Sequence, residues 1–158
     1  MNPSSNGSTG MKMFIDTAQK DEIRQFLRTG LFEGVTTNPS LLAHAGVDIN
    51  SLPDIVELAR SEGANTVFVQ IWGETAEALL KSAGAITNMC GVVSLKVPAT
   101  GAGLSAARAL VDQGREVLVT AIYGAAQVVP AMLTGAAWVA PYVARMTAAG
   151  RLRAGSML

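Results

Sequence analysis

The chain has 158 residues, enough for one domain with its own core, and 49% of them are hydrophobic against only 15% charged. Formal net charge is zero with no block of Lys and Arg, which argues against a nucleic-acid surface. A single cysteine, Cys90, excludes an internal disulfide framework and fits a reducing compartment, and no apolar run reaches the roughly 18 residues that a membrane span needs. The expected location is therefore cytoplasmic, with no membrane partner.

Residues 1–10 (MNPSSNGSTG) are polar and Gly/Ser-rich without an apolar signal-peptide stretch, and are expected to form a disordered leader or tag remnant. Residues 11–158 are expected to form one domain. Met13 to Asp16 reads as a first strand, and Asp21 to Thr29 as a helix with Ile23, Phe26 and Leu27 on one face and Gly30 as its stop. Gly34 to Asn38 reads as a strand cut off by Pro39. A short helix follows over Ser40 to Ala45, then another from Pro53 to Glu62 with proline in its first turn. Thr66 to Trp72 is the third strand, Thr75 to Ala83 a helix, and Val92 to Pro98 the fourth strand. Gly103 to Gln113 is helical, Glu116 to Ile122 the fifth strand, Ala125 to Leu133 a helix interrupted by Pro130, and Ala137 to Val143 the sixth strand.

These strands are continuous apolar runs rather than polar/apolar alternations, the pattern of a parallel sheet buried on both faces. Six alternations of strand and helix fit repeated βα units. A (β/α)8 TIM-type barrel typically takes about 250 residues, so this chain can supply roughly six of its eight units. An open doubly wound sheet competes on pattern alone, but no G-x-G-x-x-G follows the first strand, so a dinucleotide site has little support.

Side chains alternate across a strand, so Ser94 and Lys96 share one face of the fourth strand while Val93, Leu95 and Val97 share the other. A lysine turned inward loses hydration, which lowers its pKa and lets the neutral amine attack a carbonyl. Taken alone, Lys96 reads more simply as a surface lysine on an edge strand. The other strand ends shift that balance, because they carry Asp16, Thr36, Asn38, Gln70, Thr120 and Tyr142, with Tyr123 and Arg145 just beyond. By parity Asp16 sits with Phe14, Gln70 with Phe68 and Trp72, and Thr120 with Leu118 and Ile122, all facing the mouth of a barrel. The opposite faces are aliphatic and suit helix packing. His44 is expected to face solvent, Cys90 to be a packed or semi-exposed thiol, and Trp72 and Trp138 to fill the barrel. No second ligand accompanies the lone histidine in a metal-site pattern.

The segments FIDTA, GVTTNPSLLA, VSLKVPAT, TAIYGAAQ and GAAWVAPYVAR resemble the transaldolase family, and more closely its fructose-6-phosphate aldolase branch, over Met11 to about Gly150. The resemblance implies a (β/α)8 barrel and Schiff-base chemistry without a metal or other cofactor. It implies Lys96 as the Schiff-base lysine, Asp16 as the acid/base at the substrate hydroxyl, and Thr120 as a ligand of the catalytic water. Asn38, Thr36 and Ser94 would contact substrate, and Arg145 its phosphate. Where transaldolases typically carry a glutamate on the third strand, this chain has Gln70. The pair Gln70 and Tyr123 is what points to the aldolase branch, with Gln70 expected to orient the water that hydrolyses the iminium and Tyr123 to donate and accept its proton.

The implied reaction is reversible aldol cleavage of a ketose phosphate such as fructose 6-phosphate to dihydroxyacetone and glyceraldehyde 3-phosphate. Two alternatives stand beside it: a transaldolase passing on a dihydroxyacetone unit, and a catalytically silent partial barrel that serves only as an assembly module. The family's seventh and eighth strands have no counterpart in this sequence, so an incomplete barrel with open edges and a bared apolar interior is expected, with self-association or a homo-oligomer as one way to cover it.

Overall fold

A computed structural model describes residues 11–143 of the chain. The strands are β1 (Phe14–Asp16), β2 (Gly34–Thr37), β3 (Thr66–Gln70), β4 (Ser94–Pro98), β5 (Val117–Ile122) and β6 (Trp138–Pro141). The helices are α1 (Lys20–Leu27), α2 (Pro39–His44), α3 (Leu52–Ser61), α4 (Ala76–Cys90), α5 (Gly101–Asp112) and α6 (Val128–Leu133), with 3-10 turns at Ile49–Ser51 and Ala125–Gln127.

All neighbouring strands pair in parallel, in the spatial order β1-β2-β3-β4-β5-β6. A doubly wound sheet reverses direction at a switch point, whereas strictly sequential order winds one way, as a barrel does. The fold is thus an incomplete (β/α) barrel of six units. The open-sheet alternative is excluded by topology.

One face of the sheet packs on the helices. Ile15, Val35, Val67, Val69, Leu95, Val97, Val117 and Val119 join Ile23, Ile55, Leu79, Ile86 and Leu110 in a continuous buried cluster. The other face curls inward. Phe14, Phe68 and Trp138, from β1, β3 and β6, meet edge to face with ring centroids 5.2, 5.6 and 6.1 Å apart. Phe68 is fully buried and Leu118 nearly so. The outer edges of β1 and β6 are unpaired with each other, but the interior is not bared as the sequence suggested, because the aromatic side chains bridge from the first strand to the last.

Element bounds depart from expectation where a local signal was overridden. Helix α4 runs past Gly84 to Cys90 because Leu79, Ser82, Ala83, Ile86 and Cys90 continue one buried stripe. Gly84 lies on the exposed side, where a glycine costs only about 1 kcal/mol. Cys90 is therefore packed at a helix end. Pro130 does not break α6, because it lies in the first turn, where its missing N–H has no intrahelical partner to lose.

Helix α5 is seated directly on the end of β4. Thr100 caps it, its Oγ1 accepting from the Gly103 N–H at 3.0 Å. A Cβ at Gly103 would lie 1.9 Å from the Pro98 carbonyl oxygen, so only glycine permits this approach. Gly103→Ala must push α5 off the strand that carries Lys96. The expected loss of stability is about 1–3 kcal/mol, read as a lowered midpoint in thermal or urea denaturation.

Candidate active site

β4 lies between β3 and β5 and is paired along both edges. Lys96 is only 4% exposed. Its Nζ donates to Thr36 Oγ1 at 3.1 Å and lies 3.5 Å from Asp16 Oδ1. The Thr36 hydroxyl in turn donates to Asp16 Oδ1. Burial lowers the Lys96 pKa, and the Asp16 carboxylate opposes that shift without cancelling it. A neutral amine has two N–H groups, and Thr36 and Asp16 account for two. Its lone pair is left for the cavity.

The strand ends around the lysine come from parallel partners in register: Asp16 with Thr36 and Gln70 with Lys96, while Thr120 pairs with Pro98. An inner cavity of about 470 Å3 is lined by Asp16, Thr36, Lys96, Thr120 and Tyr142 above Phe14 and Trp138. A second cavity of about 580 Å3 is lined by Asp16, Asn38, Gln70, Tyr123 and Tyr142. Asp16 and Tyr142 line both. Asn38 Oδ1 accepts from the Leu41 N–H at 3.0 Å, so this residue also caps α2. The Thr120 Oγ1 is buried with no hydrogen-bond partner among the described residues, a group suited to holding a water in the lysine cavity. Among the described residues no three His, Cys, Asp or Glu side chains converge as a metal site. No helix there is long and apolar enough to cross a membrane.

Not every sequence candidate joins this group. Ser94 lies at the far end of β4, where its hydroxyl donates to Glu116, which also accepts from Trp138 Nε1 at 2.9 Å. Parity put Ser94 on the correct face, but two residues of rise carry it to the floor of the barrel rather than the mouth. Arg145 and residues 1–10, expected to form a leader or tag remnant, lie outside the described residues. Ile122 does not share the mouth face with Thr120 and Leu118. It is fully buried in the helix-facing cluster, because β5 shifts register between Val119 and Ile122 and Ala121 adopts φ 57°. Trp138 fills the barrel as expected, whereas Trp72 is 43% exposed and lines an outer groove with Pro39, Leu42 and Val47. His44 is exposed at the end of α2.

Tyr142 lines both cavities, a placement that the sequence pattern did not single out. Its ring meets that of Tyr123 edge to face at 5.5 Å, and it lines the lysine cavity, which Tyr123 does not. Its position at the end of a strand was the available signal.

The structure is that of an incomplete parallel (β/α) barrel with a buried lysine, a carboxylate and hydroxyl groups gathered at its strand ends. The family model described as Transaldolase/Fructose-6-phosphate aldolase matches residues 13–156, and the chain belongs to that family. Two relatives, each described as a probable transaldolase, are 39% identical over 141 residues (Rhodospirillum centenum) and 37% identical over 142 residues (Alkaliphilus metalliredigens). Each alignment covers 89% of this chain but only 60% and 64% of the relative, so the chain spans less than two thirds of their length. A structure of Rhizobium etli pyruvate carboxylase with the allosteric activator acetyl coenzyme-A superimposes over 81% of this chain and 15% of its own, with TM-score 0.55 and 13% identity. That likeness concerns the fold alone.

The lowered Lys96 pKa has a consequence for stability. The unfolded chain binds this proton more tightly than the folded one, so stability rises with pH from the depressed folded value up to the ordinary lysine value of about 10.4. At neutral pH the cost of burying the ammonium is still present. Lys96→Met removes it and leaves only Asp16, whose side chain is 61% exposed. The variant is expected to be more stable than the parent at pH 7, by on the order of 1 kcal/mol, and to lose this part of the pH slope in urea unfolding.

Proposed function

We propose that this chain is a Schiff-base aldolase that cleaves and forms a ketose phosphate such as fructose 6-phosphate. The observation that carries the reading is the buried Lys96 amine, held by Thr36 and Asp16 beside a cavity at the strand ends. The neutral amine adds to the C2 carbonyl, and loss of water gives an iminium. Asp16 takes the C4 hydroxyl proton, the C3–C4 bond breaks, and its electron pair enters the iminium to form an enamine while glyceraldehyde 3-phosphate leaves. Protonation of the enamine carbon and addition of water then release dihydroxyacetone and the free lysine. Gln70 cannot titrate and serves to orient that water together with Thr120. The tyrosine pair supplies a phenol that can donate and accept the proton, Tyr142 from within the lysine cavity and Tyr123 from the outer one. Arg145 is assigned to the phosphate.

The descriptions of the two relatives favour a second reading, transaldolase, in which the enamine waits for an aldehyde acceptor instead of a proton. Gln70 in the outer cavity, in place of a carboxylate, supports the aldolase. The third reading is a silent barrel that acts only in assembly, which the edges of β1 and β6, unpaired among the described residues, would serve by pairing with a second copy.

Borohydride reduction in the presence of fructose 6-phosphate or dihydroxyacetone is expected to leave a mass adduct on Lys96 that is absent in Lys96→Met. Well-folded protein without an adduct overturns the reading and leaves the silent barrel. Glyceraldehyde 3-phosphate release without acceptor indicates the aldolase, and release only with erythrose 4-phosphate the transaldolase. Tyr142→Phe is expected to cost about 100-fold or more in turnover. Tyr123→Phe should cost less than Tyr142→Phe, and the reverse order overturns the assignment to the inner tyrosine. Adduct formation should rise with pH through a limb below the ordinary lysine range, followed by rate of trapping against pH.

A further inference from the structure

We infer that Gln127 is a positioning residue of the active site, one that holds the irregular end of β5 against the end of β4. This rests on the aldolase reading above for its catalytic meaning, but not for its geometry. Gln127 is half-buried in the 3-10 turn that follows β5. Its Oε1 accepts from the Tyr123 N–H at 2.8 Å, and its Nε2 donates to the Ala99 carbonyl at 3.0 Å and the Ala121 carbonyl at 3.5 Å. One amide thus engages three backbone groups on two strand ends.

Those groups matter because of what lies next to them. Ala121 is the only described non-glycine residue with positive φ, 57°, a conformation that an L side chain occupies only against a steric penalty. It lies where the β5–β6 register slips. On either side are Thr120, which lines the lysine cavity, and Tyr123, which lines the outer one. Ala99 lies three residues beyond Lys96, and its N–H donates to the Thr120 carbonyl at 2.8 Å. Strand β5 would continue its alternation through Ala121 if nothing opposed it, carrying Ile122 to the mouth and Tyr123 away from it. Gln127 binds the carbonyl of the strained residue and the N–H two residues later, and anchors both to β4. Its hydrogen bonds go to the backbone of Ala99, Ala121 and Tyr123, and not to Lys96, Thr36 or Asp16.

The two halves of the site should therefore separate on substitution. Gln127→Ala is expected to keep the borohydride-trapped adduct on Lys96 within about twofold of the parent, while turnover falls roughly 10- to 100-fold, in kcat rather than KM, as misplacement of catalytic groups by about 1 Å does. The backbone amide of Tyr123 should exchange with solvent at least roughly tenfold faster, since its partner is gone. In Gln127→Ala combined with Ala121→Gly, glycine takes positive φ without the Cβ penalty, and part of the lost turnover should return. Gln127→Glu keeps the acceptor for Tyr123 and loses both donors. It should fall between the parent and Gln127→Ala, and it serves as the main variant if the alanine form does not fold.

Parent-like turnover and parent-like Tyr123 exchange in Gln127→Ala overturn the inference, as does adduct formation that falls in step with turnover. If the parent forms no adduct, the aldolase reading fails instead. The clamp then stands or falls on the Tyr123 exchange alone.

Discussion

Burial of the Lys96 amine depends on what closes a sheet whose first and last strands are not joined among the described residues. Six strands leave an arc, and an arc alone would open Lys96 to solvent from the gap. The arc is drawn in by Phe14, Phe68 and Trp138, which meet beneath the lysine cavity and link β1, β3 and β6 through ring contacts where no backbone ladder exists. Glu116 fixes the indole from below by accepting from Trp138 Nε1, while the Lys12 ammonium sits 5.7 Å from the centre of the ring. Lys96 is 4% exposed because that floor exists. The lowered pKa follows from the same packing, since desolvation is its leading cause.

Desolvation alone would make the lysine a cost without a use. Thr36 turns it into an arrangement with one stable hydrogen-bonding pattern. Its hydroxyl has a single proton, which is given to Asp16, so toward Lys96 it can only accept. That polarity suits either protonation state of the amine. Asp16 itself stays largely exposed and lines both cavities. It also contacts the amine directly, 3.5 Å from Nζ, and that contact favours the ammonium and opposes the effect of burial without overcoming it.

Much of this was legible in the sequence because parallel strands are periodic and short. Residues such as Val67, Phe68, Val69 and Gln70 declare their faces by alternation, and continuous apolar runs declare burial on both sides. Asp16, Thr36, Gln70, Lys96 and Thr120 could be placed together on that basis. Depth along the strand is a different matter. Ser94 obeys the same parity as Lys96 yet belongs to the floor, since alternation reports the face and says nothing of the level. The aromatic floor was equally hidden, because it depends on how far the sheet curls, which no local pattern encodes.

The failure at β5 has another cause. Glu116 to Ile122 reads as an unbroken strand, and Ala121 gives no warning: it is neither glycine nor asparagine, the residues that ordinarily mark a left-handed backbone. The break is imposed from six residues further along the chain, by a glutamine whose hydrogen bonds reach two strand ends. A constraint of this kind overrides local preference, and it occurs where residues i and i+2 lie on opposite faces of the strand. Thr120 must face the lysine cavity while Ile122 must close the helix core, and regular alternation would have set both on one side. The irregular step lets β5 do both, so the place where the sequence pattern misleads is also the place where the site is assembled.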